Sequence, residues 1–165
     1  MTVRRLVLVR GRQNSGKSTV LKAVANQILS REDATRLLLC KGACQRMTTE
    51  QISFERGDVT VVIDINGHVV VVVTMGDVSD VAARVDRLLD NLPILANRHV
   101  DLLIAAVRDT RNHTLETNYR RLFGDPIVLD KRRVQGEVPV DPNNLNADDQ
   151  ALIQAILNLV DEVVG

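Results

Sequence analysis

Apolar positions along this chain fall into two patterns. Short unbroken runs read as buried strands: Leu6-Val7-Leu8-Val9, Leu37-Leu38-Leu39-Cys40, Val69 to Val73, Leu102 to Val107 and Ile127-Val128-Leu129. Between them lie stretches whose apolar residues recur every three or four positions. Val20, Leu21, Val24, Ala25, Ile28 and Leu29 predict a helix from about Ser18 to Ser30, with Lys22 and Asn26 opposite its apolar face. Val78, Val81, Ala82, Val85, Leu88, Leu89 and Leu92 form a second helical stripe, which Pro93 stops. A shorter helix is predicted over 114–123, closed by Gly124, and a long one over 147–164 with Asn146 as its N-cap.

Asn66-Gly67 joins two apolar runs, Val59 to Ile65 and His68 to Thr74. This dipeptide is a strong hairpin signal because both positions accept positive φ. A two-residue turn sets Ile65 opposite His68, Ile63 opposite Val70 and Val61 opposite Val72. Thr60 and Asp64 interrupt the first run, so it is expected at a sheet edge; the second, apolar on both faces, is expected inside. Residues 41–57 show no period and read as a long loop. The resulting order predicts an α/β three-layer sandwich, a mostly parallel sheet with one antiparallel edge strand.

The chain has 165 residues, enough for a single domain spanning 1–165. Lys+Arg and Asp+Glu both number 21, so nothing in the net charge favours a nucleic-acid or anionic membrane partner. Aromatic residues are 2%, too few for a base-stacking platform. No apolar run approaches the roughly 20 residues of a membrane span. The run after Arg4 and Arg5 is too short for a secretion signal, and two cysteines do not suggest a disulfide framework, so a cytoplasmic setting is expected.

One segment carries chemistry. Gly11-Arg12-Gln13-Asn14-Ser15-Gly16-Lys17-Ser18 matches G-x-x-x-x-G-K-[ST] without a mismatch, after a predicted strand and opening a predicted helix. Gly11 and Gly16 permit loop conformations that a Cβ would block. The amides of such a loop, continued by Thr19 at the helix mouth, form an anion nest reinforced by the helix dipole. Lys17 can then reach β- and γ-phosphates, and the Ser18 hydroxyl can ligate Mg²⁺. In this loop and its surrounding α/β pattern, the chain resembles the P-loop NTPases. That resemblance implies the P-loop NTPase fold, a Mg²⁺ cofactor, and ATP or GTP as ligand.

The family also uses an acidic residue at the end of a neighbouring strand to hold the metal. Asp77 is preferred, because its uniformly apolar strand is expected beside the first one and because Gly76 permits close approach of backbone to phosphate. Asp77 could equally cap the following helix. Asp109 and Asp64 are the other candidates. The hairpin resembles that of small G proteins, yet Val73 stands where D-x-x-G needs its Asp, and Val107-Arg108-Asp109-Thr110 does not supply N-K-x-D. ATP is therefore favoured over GTP. Arg108 and Arg111 follow a buried strand, where small nucleoside kinases place phosphate-binding arginines, and are expected to stabilise charge on a transferring phosphoryl group.

Other signals are weaker. Cys40 and Cys44 lack the second close ligand pair of a metal site and read as ordinary thiols. His68, His99 and His113 are scattered. Lys131-Arg132-Arg133 could border a base or form a solvated turn. Thr48 or Thr49 could sense the γ-phosphate, and the 41–57 loop could meet a protein partner. Two functions thus stand: an NTPase or phosphotransferase, and a nucleotide-dependent switch with little turnover.

Overall fold

The computed structural model describes residues 1–12, 15–42, 45–46, 52–54, 57–131 and 145–165. In chain order the elements are β1 (Leu6–Gly11), α1 (Lys17–Leu29), β2 (Ala34–Lys41), β3 (Gln45–Arg46), β4 (Val59–Ile65), β5 (His68–Val73), α2 (Val81–Asp90), β6 (Leu102–Arg108), α3 (Thr114–Phe123), β7 (Pro126–Asp130) and α4 (Ala147–Val164). A 3₁₀ turn, Pro93–Leu95, follows α2.

All seven strands form one sheet in the order β3-β2-β4-β5-β6-β1-β7. Alternate residues of its central strands face opposite cores. Val7, Val9, Val61, Ile63, Val70, Val72, Leu102 and Ile104 pack under α1 and α4. Leu6, Leu8, Val62, Val69, Val71, Val73, Leu103 and Ala105 pack under α2 and α3. Strands apolar on both sides are what a three-layer arrangement requires.

The hairpin forms with the expected register, Ile65 facing His68 and Val61 facing Val72. Asn66 and Gly67 have φ of 51° and 90°, the paired positive values of a type I′ turn. The Asp64 carboxylate accepts the Gly67 amide at 2.8 Å and takes Arg98 at 2.8 Å. That ion pair holds the Asp64 pKa below its ordinary value. Asn146 caps α4 by accepting the Asp149 amide.

Two expectations about the sheet are overturned. β4 is not an edge strand: it lies between β2 and β5, antiparallel to both. The two-residue β3, antiparallel to β2, forms that edge. Thr60 is tolerated inside because its hydroxyl donates to the Gly42 carbonyl at 2.6 Å. Nor does β5 neighbour β1: β6 pairs in parallel with both and separates them. Five strands therefore share one direction, and β4 begins where those five end. At that end of the sheet lie residues 11–12, 15–18, 42, 58, 74–79, 108–115 and 131.

Candidate functional site: the loop at the mouth of the first helix

Gly11 ends β1 with no room for a side chain. A Cβ there would lie 2.6 Å from Ser15 Oγ and 2.9 Å from the Lys131 carbonyl oxygen. Gly16 precedes α1 with φ 90°, the left-handed region that favours glycine. Between them the Arg12 carbonyl accepts two bonds, from the Ser15 amide at 3.1 Å and from Lys17 Nζ at 2.9 Å. These bonds tie Arg12 to Ser15 and to the first residue of α1. Gln13 and Asn14 lie outside the described residues. Arg12 is exposed, Ser18 and Thr19 are half-buried, and Ser15 is buried. Ser15 Oγ has no hydrogen-bond partner among the described residues.

Lys17 is 6% exposed, yet among the described residues its ammonium bonds a carbonyl, that of Arg12, and no carboxylate forms an ion pair with it. Burial lowers its pKa; Asp77, Asp58 and Asp109 act against that from a distance, while Arg108 adds to it. The first turn of α1 contains no acidic residue and receives no side-chain cap from the described residues. Buried positive charge and an uncapped helix start therefore converge, an arrangement suited to an anion.

The carboxylate nearest the Ser18 hydroxyl is Asp58, which the sequence did not single out. Ser18 Oγ donates to Asp58 Oδ1 at 2.9 Å, and Thr74 Oγ1 donates to the same oxygen at 3.0 Å. Thr74 in turn accepts the Val59 amide at 2.9 Å, so the end of β5 is locked to the start of β4. The Gly42 amide donates to the Asp58 carbonyl at 2.7 Å. Lys22, expected on the polar face of α1, is buried beneath this group; burial lowers its pKa and Asp58 opposes the shift. Asp58 escaped notice because it sits at the start of a strand. Only an antiparallel β4 beside β5 brings a strand's beginning to this edge.

Asp77 is exposed and does not cap α2, whose N-cap is Asp80. It stands past the end of β5, close enough to act on Lys17 more strongly than any other charge. The Arg108 amide donates to the Gly76 carbonyl at 2.9 Å, and the Asp109 amide to the Gly11 carbonyl at 2.8 Å. Arg108, Arg111 and Asp77 thus border one cavity beside the loop. Asp109 is exposed and lies 3.8 Å from His113 Nδ1. Asp64 faces the far end of the sheet, where Arg98 holds it.

Lys131 is no solvated turn. It is buried, with Nζ 2.8 Å from Asp149 Oδ1, and ties the end of β7 to α4. Cys40 is buried in β2. Cys44, Thr48, Thr49, Arg132 and Arg133 lie outside the described residues, as does much of the 41–57 segment. Among the described residues, no three His, Cys, Asp or Glu side chains form a metal-binding group. No helix among them is long and apolar enough to cross a membrane. No family model, curated protein or solved structure matches this chain. The functional reading therefore rests on the loop's pattern and geometry.

Proposed function

We propose that this protein binds a nucleoside triphosphate with Mg²⁺ in the Gly11–Ser18 loop and hydrolyses or transfers its γ-phosphoryl group. The observation that carries the reading is the buried Lys17 ammonium at an uncapped helix start. A charge held there without a carboxylate partner is costly unless an anion completes the site. A polyphosphate supplies that anion, gripped by loop amides as in other P-loop proteins.

Ser18 Oγ and the Asp58 carboxylate are hard oxygen donors on one point, which fits Mg²⁺ with its remaining positions filled by water and phosphate. The metal would neutralise charge on the β- and γ-phosphates. Asp58 takes the metal-side role that the sequence assigned to Asp77. Thr74 holds the Asp58 carboxylate in place, and Lys17 counters charge developing on the leaving oxygen. ATP is preferred to GTP, because Arg108-Asp109-Thr110 offers no guanine reader of the N-K-x-D type.

Thermal unfolding with ATP and GTP, each with and without Mg²⁺, tests this directly. A ligand at 100 times its Kd adds about 2.7 kcal/mol. Mg-ATP should stabilise the wild type, and Asp58→Asn should remove most of the Mg²⁺ dependence while Asp77→Asn retains it. Absence of any shift with either nucleotide in the wild type refutes the proposal. A second reading, a nucleotide-dependent switch, is favoured by one connection: Gly42, the second residue of the 41–57 segment, bonds to Asp58 and Thr60. A protein partner reached through that segment would sense the metal site. Tight Mg-ATP binding without phosphate release would support this second reading.

A further inference from the structure

Beside the loop, a cavity of about 370 Å³ opens between the ends of β5 and β6 and the starts of α2 and α3. We propose that it binds the acceptor of the γ-phosphoryl group, a small molecule carrying a hydroxyl and an anionic phosphate or carboxylate. This rests on the Mg-nucleotide reading above and extends it from phosphoryl release to phosphoryl transfer.

The chemistry of the walls sets the class of ligand. Among the described lining residues, two arginines, Arg108 and Arg111, stand with a single carboxylate, Asp77, so the lining carries net positive charge. Guanidinium groups pair with phosphate and carboxylate through parallel N–H bonds. Leu115 and Val78 provide an apolar side; Val78 is 41% exposed, a large apolar residue at the surface. The volume falls within the range of small-ligand sites.

The cavity is preformed. A Cβ on Gly76 would lie 2.9 Å from the backbone of Ala106, so this glycine lays its loop flat against β6. The Arg108 amide bonds to the Gly76 carbonyl, and Asn118 Nδ2 bonds to the Ser79 carbonyl at 2.9 Å, tying α3 to the loop before α2. The location is also right for transfer. Gly11 pairs with Arg108 in the sheet, so the first residue of the phosphate loop adjoins the cavity's first arginine.

In the step itself, the acceptor hydroxyl oxygen attacks the γ-phosphorus and a new P–O bond forms. The bond from the γ-phosphorus to the bridging oxygen breaks, and its electron pair leaves with the nucleoside diphosphate. The hydroxyl proton passes to the Asp77 carboxylate. With Asp58 on the metal side, Asp77 is available as this base.

The test uses the full chain and separates the two readings. Glycerol 3-phosphate, glycerate and neutral glycerol are titrated calorimetrically into Lys17→Ala, whose loop is disabled as an anion site. The phosphate or the carboxylate probe should bind and glycerol should not; which of the two binds identifies the anionic group. Arg111→Ala and Val78→Asp, both at exposed positions, should each weaken that binding by about tenfold or more in the same background. In the wild type with Mg-ATP, the bound probe should accelerate ADP formation and appear as a new phosphoester by ³¹P NMR. Equal binding of glycerol, failure of both anions, or binding unaffected by both variants overturns the proposal. Lack of a Mg-ATP stability shift in the wild type refutes the nucleotide reading instead, while the titrations still report on the cavity.

Discussion

Replacing Lys17 with methionine should move stability and nucleotide binding in opposite directions. Methionine keeps the length and apolar stem of the side chain and removes its charge. In the folded protein the residue is 6% exposed, and its ammonium, bonded to the Arg12 carbonyl, lacks an ion-pair partner among the described residues. Burial disfavours the protonated form, and the lowered pKa records the net result after Asp77 and Arg108 have acted in opposite senses. Removing a buried charge that these contacts compensate only in part should stabilise the nucleotide-free protein by about 1 kcal/mol. For a chain of this size that raises Tm by about 2–4 °C. The Arg12 carbonyl that loses Lys17 keeps its bond from the Ser15 amide.

Binding should respond the other way. A charge-assisted hydrogen bond is worth about 1.5–3 kcal/mol, so the variant should bind Mg-ATP about 10–150-fold more weakly. At a concentration of 100 times the wild-type Kd, the wild type gains about 2.7 kcal/mol and the variant only about 0.3–1.4 kcal/mol. The sign with pH also follows. A lysine whose folded pKa is lowered destabilises the fold while protonated. That cost fades as pH rises from the folded value towards the ordinary 10.5. The stability advantage of Lys17→Met should therefore shrink over that alkaline window. Differential scanning calorimetry with and without Mg-ATP reads all of this. A variant less stable than the wild type without nucleotide, or one keeping the full nucleotide shift, would refute the reasoning.

Three further outcomes are expected. The Tyr119 hydroxyl is fully buried with no hydrogen-bond partner among the described residues, and burial drives its pKa far upward; Tyr119→Phe should leave stability unchanged or raise it by up to about 2 kcal/mol, and a loss above 1 kcal/mol in chemical denaturation would disprove this. Gly76→Ala should cost about 1–3 kcal/mol, because the new Cβ meets the backbone of Ala106 rather than a movable side chain; an unchanged denaturation midpoint would contradict it. For Asp101, burial pushes the pKa up, but the Val69 amide at 2.8 Å and His99 at 2.9 Å outweigh it and leave the pKa below the ordinary 3.8. A depressed carboxyl contributes stability above 3.8 that is lost as pH falls through its folded value, so Asp101→Asn should flatten the acid limb of the stability curve below pH 3.8, and an acid limb as steep as the wild type's would count against it.

The chain's local chemistry determined much of this molecule. The Gly-Lys-Ser loop, the Asn66-Gly67 turn with its register, the end of α3 at Gly124 and the capped start of α4 at Asn146 follow from residues a few positions apart. Backbone freedom, capping and helical or strand period act over just such distances. Strand order does not. Val69–Val73 and Leu102–Val107 are both apolar on both faces, so sequence alone could not say which lies against β1; the sheet placed β6 there. Thr60 and Asp64 marked β4 as an edge, but the Gly42 carbonyl satisfies Thr60 and Arg98 satisfies Asp64, and the strand sits inside. The reversed direction of β4 turned Asp58 from a loop residue into the partner of Ser18, and the close passage of Gly76 over Ala106 helped shape the cavity beside it. Such contacts join positions tens of residues apart, so they exist only once the layers have packed.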